Sequence, residues 1–213
     1  MAPDELVSIF GGDFTNSAAA PRVIVKIADS AGVTRGAPPL LVSAAQINFA
    51  IPGETALGPA TVTVTSAAGI TFSLAIPITL TAPGLFAANG GGQGVAAAQL
   101  VRVGPDGSQS TESVAVFDSS RKEWVAAPID MGAGSLYLVL FGTGIRHRAD
   151  NAEVTCRING QTAAVVYSGP QPSFTGLDQV NVRLPDSLRG SGEVEIVVAV
   201  DGQTSNAVTV AFR

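Results

Sequence analysis

Apolar and polar residues alternate along several short stretches of this chain, and the clearest stretch occurs twice. In Gln46-Ile47-Asn48-Phe49-Ala50-Ile51-Pro52, period-two alternation places Ile47, Phe49 and Ile51 on one face of a strand and Gln46, Asn48 and Ala50 on the other. Gln179-Val180-Asn181-Val182-Arg183-Leu184-Pro185 sorts the same way, with Val180, Val182 and Leu184 inward and Gln179, Asn181 and Arg183 outward. In both, the proline ends ladder pairing just past the strand. Residues 60–65 and 193–198 alternate as cleanly and read as half-buried strands with one wet face.

The remaining strands also come in pairs. Residues 6–11 match 136–142. Residues 23–27 match 154–158, and each is followed by a turn signal, Asp29-Ser30-Ala31-Gly32 or Asn159-Gly160. Second hairpin strands follow near residues 40–42 and 163–167. Ala68-Gly69 and Asp201-Gly202 lead into last strands at residues 74–80 and 207–212. Self-similarity at this scale is the mark of a duplicated unit. The expected fold is all-β: two immunoglobulin-like β-sandwich repeats, residues 1–85 and 135–213, joined by a small central β-hairpin or sheet segment over 86–134. Within that segment residues 96–103, 114–117 and 124–130 read as strands, and Gly90-Gly91-Gly92 with Gly94 as a flexible run. It is expected to lie between the sandwiches or to extend one of them.

Composition agrees with a folded body: 46% of the 213 residues are hydrophobic and 14% charged, with 24 glycines and 13 prolines. The net charge of −5 disfavours a nucleic-acid surface, which needs clustered cations to displace counterions from phosphate. The one short basic cluster, Arg146-His147-Arg148, reads as a solvated loop tip. No run reaches the roughly 18 apolar residues of a membrane span. A single cysteine, Cys156, precludes an internal disulfide. Alternation with Val154 and Ile158 points its thiol into the core.

The set Val7-Ser8-Ile9-Phe10-Gly11, Gln46-Ile47-Asn48-Phe49, Ala82-Pro83-Gly84-Leu85-Phe86, Pro105-Asp106-Gly107-Ser108, Phe141-Gly142-Thr143-Gly144 and Gly176-Leu177-Asp178-Gln179-Val180-Asn181 spans almost the whole chain. As a set it resembles the uncharacterised C-terminal domain family of large secreted acidobacterial (Solibacter-type) proteins, a tandem repeat of Ig-like or IPT-like sandwiches. The resemblance implies an extracellular or cell-surface module at the end of a multidomain protein, with no established catalytic residues. Asp178 departs from it, standing where the family pattern carries an aromatic, as does the basic loop at Arg146.

Candidate chemistry is sparse. There is no Gly-x-Ser-x-Gly nucleophile elbow, so a small hydrolase would have to use His147, the only histidine, as its base. One histidine and one cysteine do not make a zinc site, and no metal site or cofactor is expected. The loop carboxylates Asp4, Glu5, Asp13, Asp150 and Asp186 lack the spacing that wraps calcium. The glycine run is followed by no Lys-Ser or Lys-Thr of a phosphate loop. Carbohydrate binding would use exposed aromatic rings, for which Trp124, Tyr167 and Phe174 are the candidates. Gln46 with Asn48, and Gln179 with Asn181, are expected to be structural, bonding backbone groups of a neighbouring loop or edge in both repeats. The reading is therefore a non-enzymatic structural, adhesion or assembly module. Its partners would be other domains of the same polypeptide, surface proteins or polysaccharide, with no nucleic acid and no membrane insertion. A carbohydrate-binding accessory domain and a hydrolase using His147 are the alternatives.

Overall fold

The computed structural model describes residues 1–12, 14, 23–150 and 152–213. The protein is all-β, and among the described residues the only helical turn is a 3-10 turn at Asp186–Leu188. It forms two compact units, Met1–Thr81 with Ser173–Gly176, and Ala82–Pro172 with Leu177–Arg213.

The first unit contains β1 (Leu6–Phe10), β2 (Ile24–Ala28), β3 (Thr34–Gly36), β4 (Pro39–Val42), β5 (Gln46–Ala50), β6 (Gly58–Thr65) and β7 (Thr71–Ile78). They make two antiparallel sheets, ordered β1-β5-β4 and β3-β2-β6-β7. The alternation read from the sequence decides which side chains meet: Val7, Ile47 and Phe49 from the first sheet share one core with Val25, Ile27, Val62, Val64 and Ile76 from the second. Two sheets closed over one apolar layer are a β-sandwich. Each fully buried Ile or Phe side chain stabilises it by about 1.5–3 kcal/mol.

The second unit contains β8 (Gly84–Leu85), β9 (Ala98–Val103), β10 (Gln109–Ser113), β11 (Ala115–Asp118), β12 (Glu123–Ala126), β13 (Ser135–Thr143), β14 (Val154–Ile158), β15 (Gln161–Pro170), β16 (Asp178–Arg183), β17 (Gly192–Val200), β18 (Gln203–Thr204) and β19 (Val208–Phe212). Ten of these strands join in one sheet along the path β10-β9-β13-β16-β15-β14-β17-β18, with β19 on β17 and β8 on β13; β11 and β12 form a separate hairpin. The long β15 lets that sheet fold over on itself. Its first half pairs β14 and its second half pairs β16, with a bulge between Val165 and Tyr167. One core lies between the two layers, from Leu100, Leu138 and Val180 on one side to Cys156, Ile196 and Val208 on the other.

The pairing register of the first unit recurs in the second. Phe10 lies opposite Gln46, and Phe141 opposite Gln179. Ile27 lies opposite Val62, and Ile158 opposite Ile196. Gly58 lies opposite Ile78, and Gly192 opposite Phe212. Bulges fall at the same place too: Leu41 faces Asn48 across the bulge after Pro39, as Tyr167 faces Asn181 across the bulge after Val165. The Asn-Gly and Asp-Gly turn signals are both realised, with positive φ at Asn159 and Gly160 and at Asp201 and Gly202.

Residues 86–134 were expected to form a connecting segment, and the structure gives most of its strands a place in the second unit. β9 pairs β13 with Leu100 opposite Leu138 and Ala98 opposite Leu140, so its inward residues continue the inner row of β13. The extension removes a sheet edge from β13 and adds core, and β8 belongs to the same unit. Periodicity finds strands but not their partners. The glycine run carries hydrogen bonds of its own: the Asn89 amide donates to the Gln93 carbonyl and accepts from the Gly91 N–H, while Asn206 donates to the Gly92 carbonyl.

Candidate functional site

The outward face of the sheet formed by β13, β16 and β15 gathers more of the singled-out residues than any other surface. Burial of Leu136, Leu138 and Leu140 on β13 turns Tyr137, Val139 and Phe141 to the opposite face. Across β16 these stand opposite Arg183, Asn181 and Gln179. Beyond Asn181, β15 presents Tyr167, which is 41% exposed and whose hydroxyl donates to the Pro170 carbonyl at 2.7 Å. A Cβ on Gly169 would meet that hydroxyl at 3.2 Å, so the ring lies along its own strand above Gly169, beside Gln179. The result is a phenol, two amides and flanking aromatic rings on one rigid sheet. Such a face can stack on and hydrogen-bond a flat polar ring.

The amide pairs behave alike in both units, though not as the sequence suggested. Gln179 Nε2 donates to Asn181 Oδ1 at 2.7 Å, and Gln46 Nε2 to Asn48 Oδ1 at 2.8 Å. Ser8 adds a hydroxyl to Asn48 Oδ1 at 2.9 Å. The partners are thus side chains two positions along the same strand, because residues i and i+2 share a face. The bonds run along the strand and brace the half-buried outer surface. Asn181→Ala is expected to lower stability by about 1 kcal/mol, the worth of one such bond, measured as the shift in urea midpoint.

The other two aromatic candidates lie elsewhere. Trp124 sits on β12 opposite Phe117, with ring centroids 5.6 Å apart in an edge-on arrangement. Phe117 and Trp124, 50% and 42% exposed, leave an aromatic pair on one face of the β11–β12 hairpin. Phe174 is 69% exposed in the loop after β15, within the residues grouped with the first unit.

Two buried carboxylates, Asp178 and Asp29, organise the polar interior; the sequence reading named one as a departure from a family pattern and the other as part of a turn, and gave neither a buried role. Asp178 has no exposed surface; it accepts the Ile145 N–H at 2.7 Å and the Arg146 N–H at 3.2 Å, and pairs with Arg146 Nε at 2.7 Å. Arg146 also donates to the Leu177 carbonyl. The Arg146-His147-Arg148 loop is therefore not a solvated tip: the first arginine is spent on a buried partner, and His147 is half-buried in the turn closed by Arg148 N–H on the Ile145 carbonyl. A signal did exist. Asp178 has the inward parity of Val180 and Val182, and an inward carboxylate calls for a cation.

Asp29 holds the loops of the first unit. It accepts the N–H groups of Ala31, Val33 and Ala56 and pairs with the Arg35 guanidinium. The Ala56 bond foremost, then the Val33 bond and Arg35, hold its carboxyl below the usual 3.8, outweighing the opposing effect of burial. A depressed folded pKa contributes stability that is present above the ordinary value and lost as pH falls through the folded one. The stability difference between the native chain and Asp29→Asn is therefore expected to shrink as pH drops below 3.8, followed by urea midpoints across an acid series.

Cys156 is fully buried and unpaired, and burial pushes its thiol up to about 12, which keeps it an inert core residue at neutral pH. Among the described residues no group of three or more histidine, cysteine, aspartate or glutamate side chains comes together to hold a metal ion. Asp13, one of the loop carboxylates weighed for calcium, lies outside the described residues. No helix among the described residues is long and apolar enough to cross a membrane. Comparison with protein-family models finds no match to the chain, and comparison with curated proteins finds none either.

Proposed function

We propose that this chain is a non-enzymatic extracellular module made of two copies of one immunoglobulin-like sandwich. It serves as a structural, adhesion or assembly unit at the end of a larger secreted protein. The observation that carries this reading is the shared register: four strand pairings, one of them bulged at the same place, recur in both units, while the loops differ. Duplication conserves geometry that propagates a rigid body, and the best-placed polar groups, Asp178 with Arg146 and Asp29 with Arg35, are consumed in holding that body together. Immunodetection in the producing cells is expected to find the protein outside or on the surface. Confinement to the cytosol would overturn the extracellular placement. Turnover of an ester, glycoside or peptide that His147→Ala abolishes would overturn the non-enzymatic reading.

A second reading, carbohydrate binding, is favoured by one specific arrangement: Tyr167 opposite Asn181 with Gln179 adjacent on an exposed sheet face. In that case a glycan array gives hits that Tyr167→Ala removes. Hits removed by Trp124→Ala would instead place the ligand on the β11–β12 hairpin, and an array without hits would dismiss this reading.

A further inference from the structure

The last strands of the two units, β7 and β19, are equivalent in register but differently covered. On β19 the edge facing away from β17 is filled twice. Ile129 donates to the Ala211 carbonyl and accepts from Arg213; residues 94–96 run parallel beside Thr209, with Thr209 N–H on the Gly94 carbonyl at 2.8 Å and Ala96 N–H on the Thr209 carbonyl at 2.9 Å. Ala96 thereby joins the buried layer that holds Val208 at zero exposure, while Val95, bridged to Thr209, is buried on the other face of β19.

On β7 the first of these contacts recurs. Met1 donates to the Pro77 carbonyl at 3.0 Å and accepts from Thr79 N–H at 2.8 Å, as Ile129 does with Ala211 and Arg213. The second has no counterpart among the described residues. Backbone groups alternate in direction along a strand, so Ala75, two before Pro77, points its N–H and C=O away from β6 like Pro77 and Thr79. Leu74 stands where the second unit has Val208, yet is 53% exposed, and Phe72 and Ile70 beside it are 38% and 64% exposed. Beside this edge, a groove of about 460 Å3 with mostly apolar walls, including Pro59, Ala60, Ala75, Ile76 and Pro77, lies over the paired ends of β6 and β7.

We propose that the edge of β7 at Ala75 receives an extended segment of a partner polypeptide, running parallel to β7 and built of uncharged small and aliphatic residues. The second unit shows the chemistry required: a carbonyl to take the Ala75 N–H, an N–H two residues later for the Ala75 carbonyl, small residues at those two positions so that the backbones approach and a methyl meets the Leu74 side, and between them an aliphatic side chain on the opposite face beside Ala75. Gly94, Val95 and Ala96 supply these in the filled site. The proposal deepens the assembly reading by naming where and how a partner strand adds.

The probe is a capped peptide with the sequence of residues 92–98, added to the intact chain while amide exchange is followed residue by residue. Exchange at Ser73 and Ala75 is expected to slow about tenfold near saturation. Ala75→Pro removes only a donor that faces away from β6, as Pro77 already does on the same strand, so it is expected to fold and to lose the peptide's effect at Ser73. Leu74→Ser, which removes apolar cover without touching the backbone, is the second variant and is expected to weaken the effect. No slowing at either amide would overturn the proposal, as would an effect unchanged in both variants. Slowing that appears with rising protein concentration and no peptide would overturn it in favour of a second copy of this chain. A failed peptide leaves the structural-module reading standing, whereas cytosolic confinement removes that reading through a separate measurement.

Discussion

Arg146→Ala is expected to lower the unfolding free energy of the second unit by about 3–5 kcal/mol, because it strands a carboxylate that has no exposed surface. The native pair is close, 2.7 Å between Arg146 Nε and Asp178 Oδ1, and the arginine keeps 18% of its side chain exposed. Removing the guanidinium leaves Asp178 with two backbone N–H groups, which do not offset the cost of holding a charge in an apolar layer. Adding Asp178→Asn to that variant is expected to recover part of the loss: the amide is neutral but still offers an oxygen to the Ile145 N–H. Urea unfolding of the native chain, the single variant and the double variant separates the two contributions. Equal midpoints for the native chain and Arg146→Ala would mean that the pair carries no net stability.

That pair also marks how far the sequence could be read. Alternation placed Ile47, Phe49, Val180 and Val182 in the core, and all four are buried. It worked because one face of each strand is dry and the other wet, so the pattern records burial directly. It did not reveal that β9 would pair β13, since strands with the same inward pattern are interchangeable until the chain closes. Nor did it reveal Asp178 with Arg146, because reading charge as surface hides the rare carboxylate at an inward position. Of the aromatic candidates only Tyr167 lies beside the amide pair. Linear spacing cannot place residues of β15 and β16 opposite each other without the turn and bulge that fix their register.

The Phe141-Gly142-Thr143-Gly144 motif has a steric explanation, and it leads to the second large expected effect. Gly144 has φ +72°, and a Cβ there would stand 2.1 Å from the Ala82 carbonyl oxygen, which is backbone and has no room to yield. The same close approach lets Ala82 N–H donate to the Gly144 carbonyl at 2.9 Å and seats β8 against β13, with Leu85 opposite Gly142. Gly144→Ala therefore combines three losses: left-handed strain of about 1–2 kcal/mol, a backbone hydrogen bond of about 1 kcal/mol, and part of the burial of Leu85, itself worth about 1.5–3 kcal/mol. The expected total is about 4 kcal/mol. Gly160→Ala is the control. It shares φ +72° but has nothing within 4 Å of the added methyl, so it is expected to show the strain alone. If the two variants shift the urea midpoint equally, the docking of residues 82–85 onto β13 contributes nothing beyond backbone strain at Gly144. If Gly144→Ala falls far below Gly160→Ala, the glycines of this motif exist to let one strand approach another, and no ligand is needed to explain them.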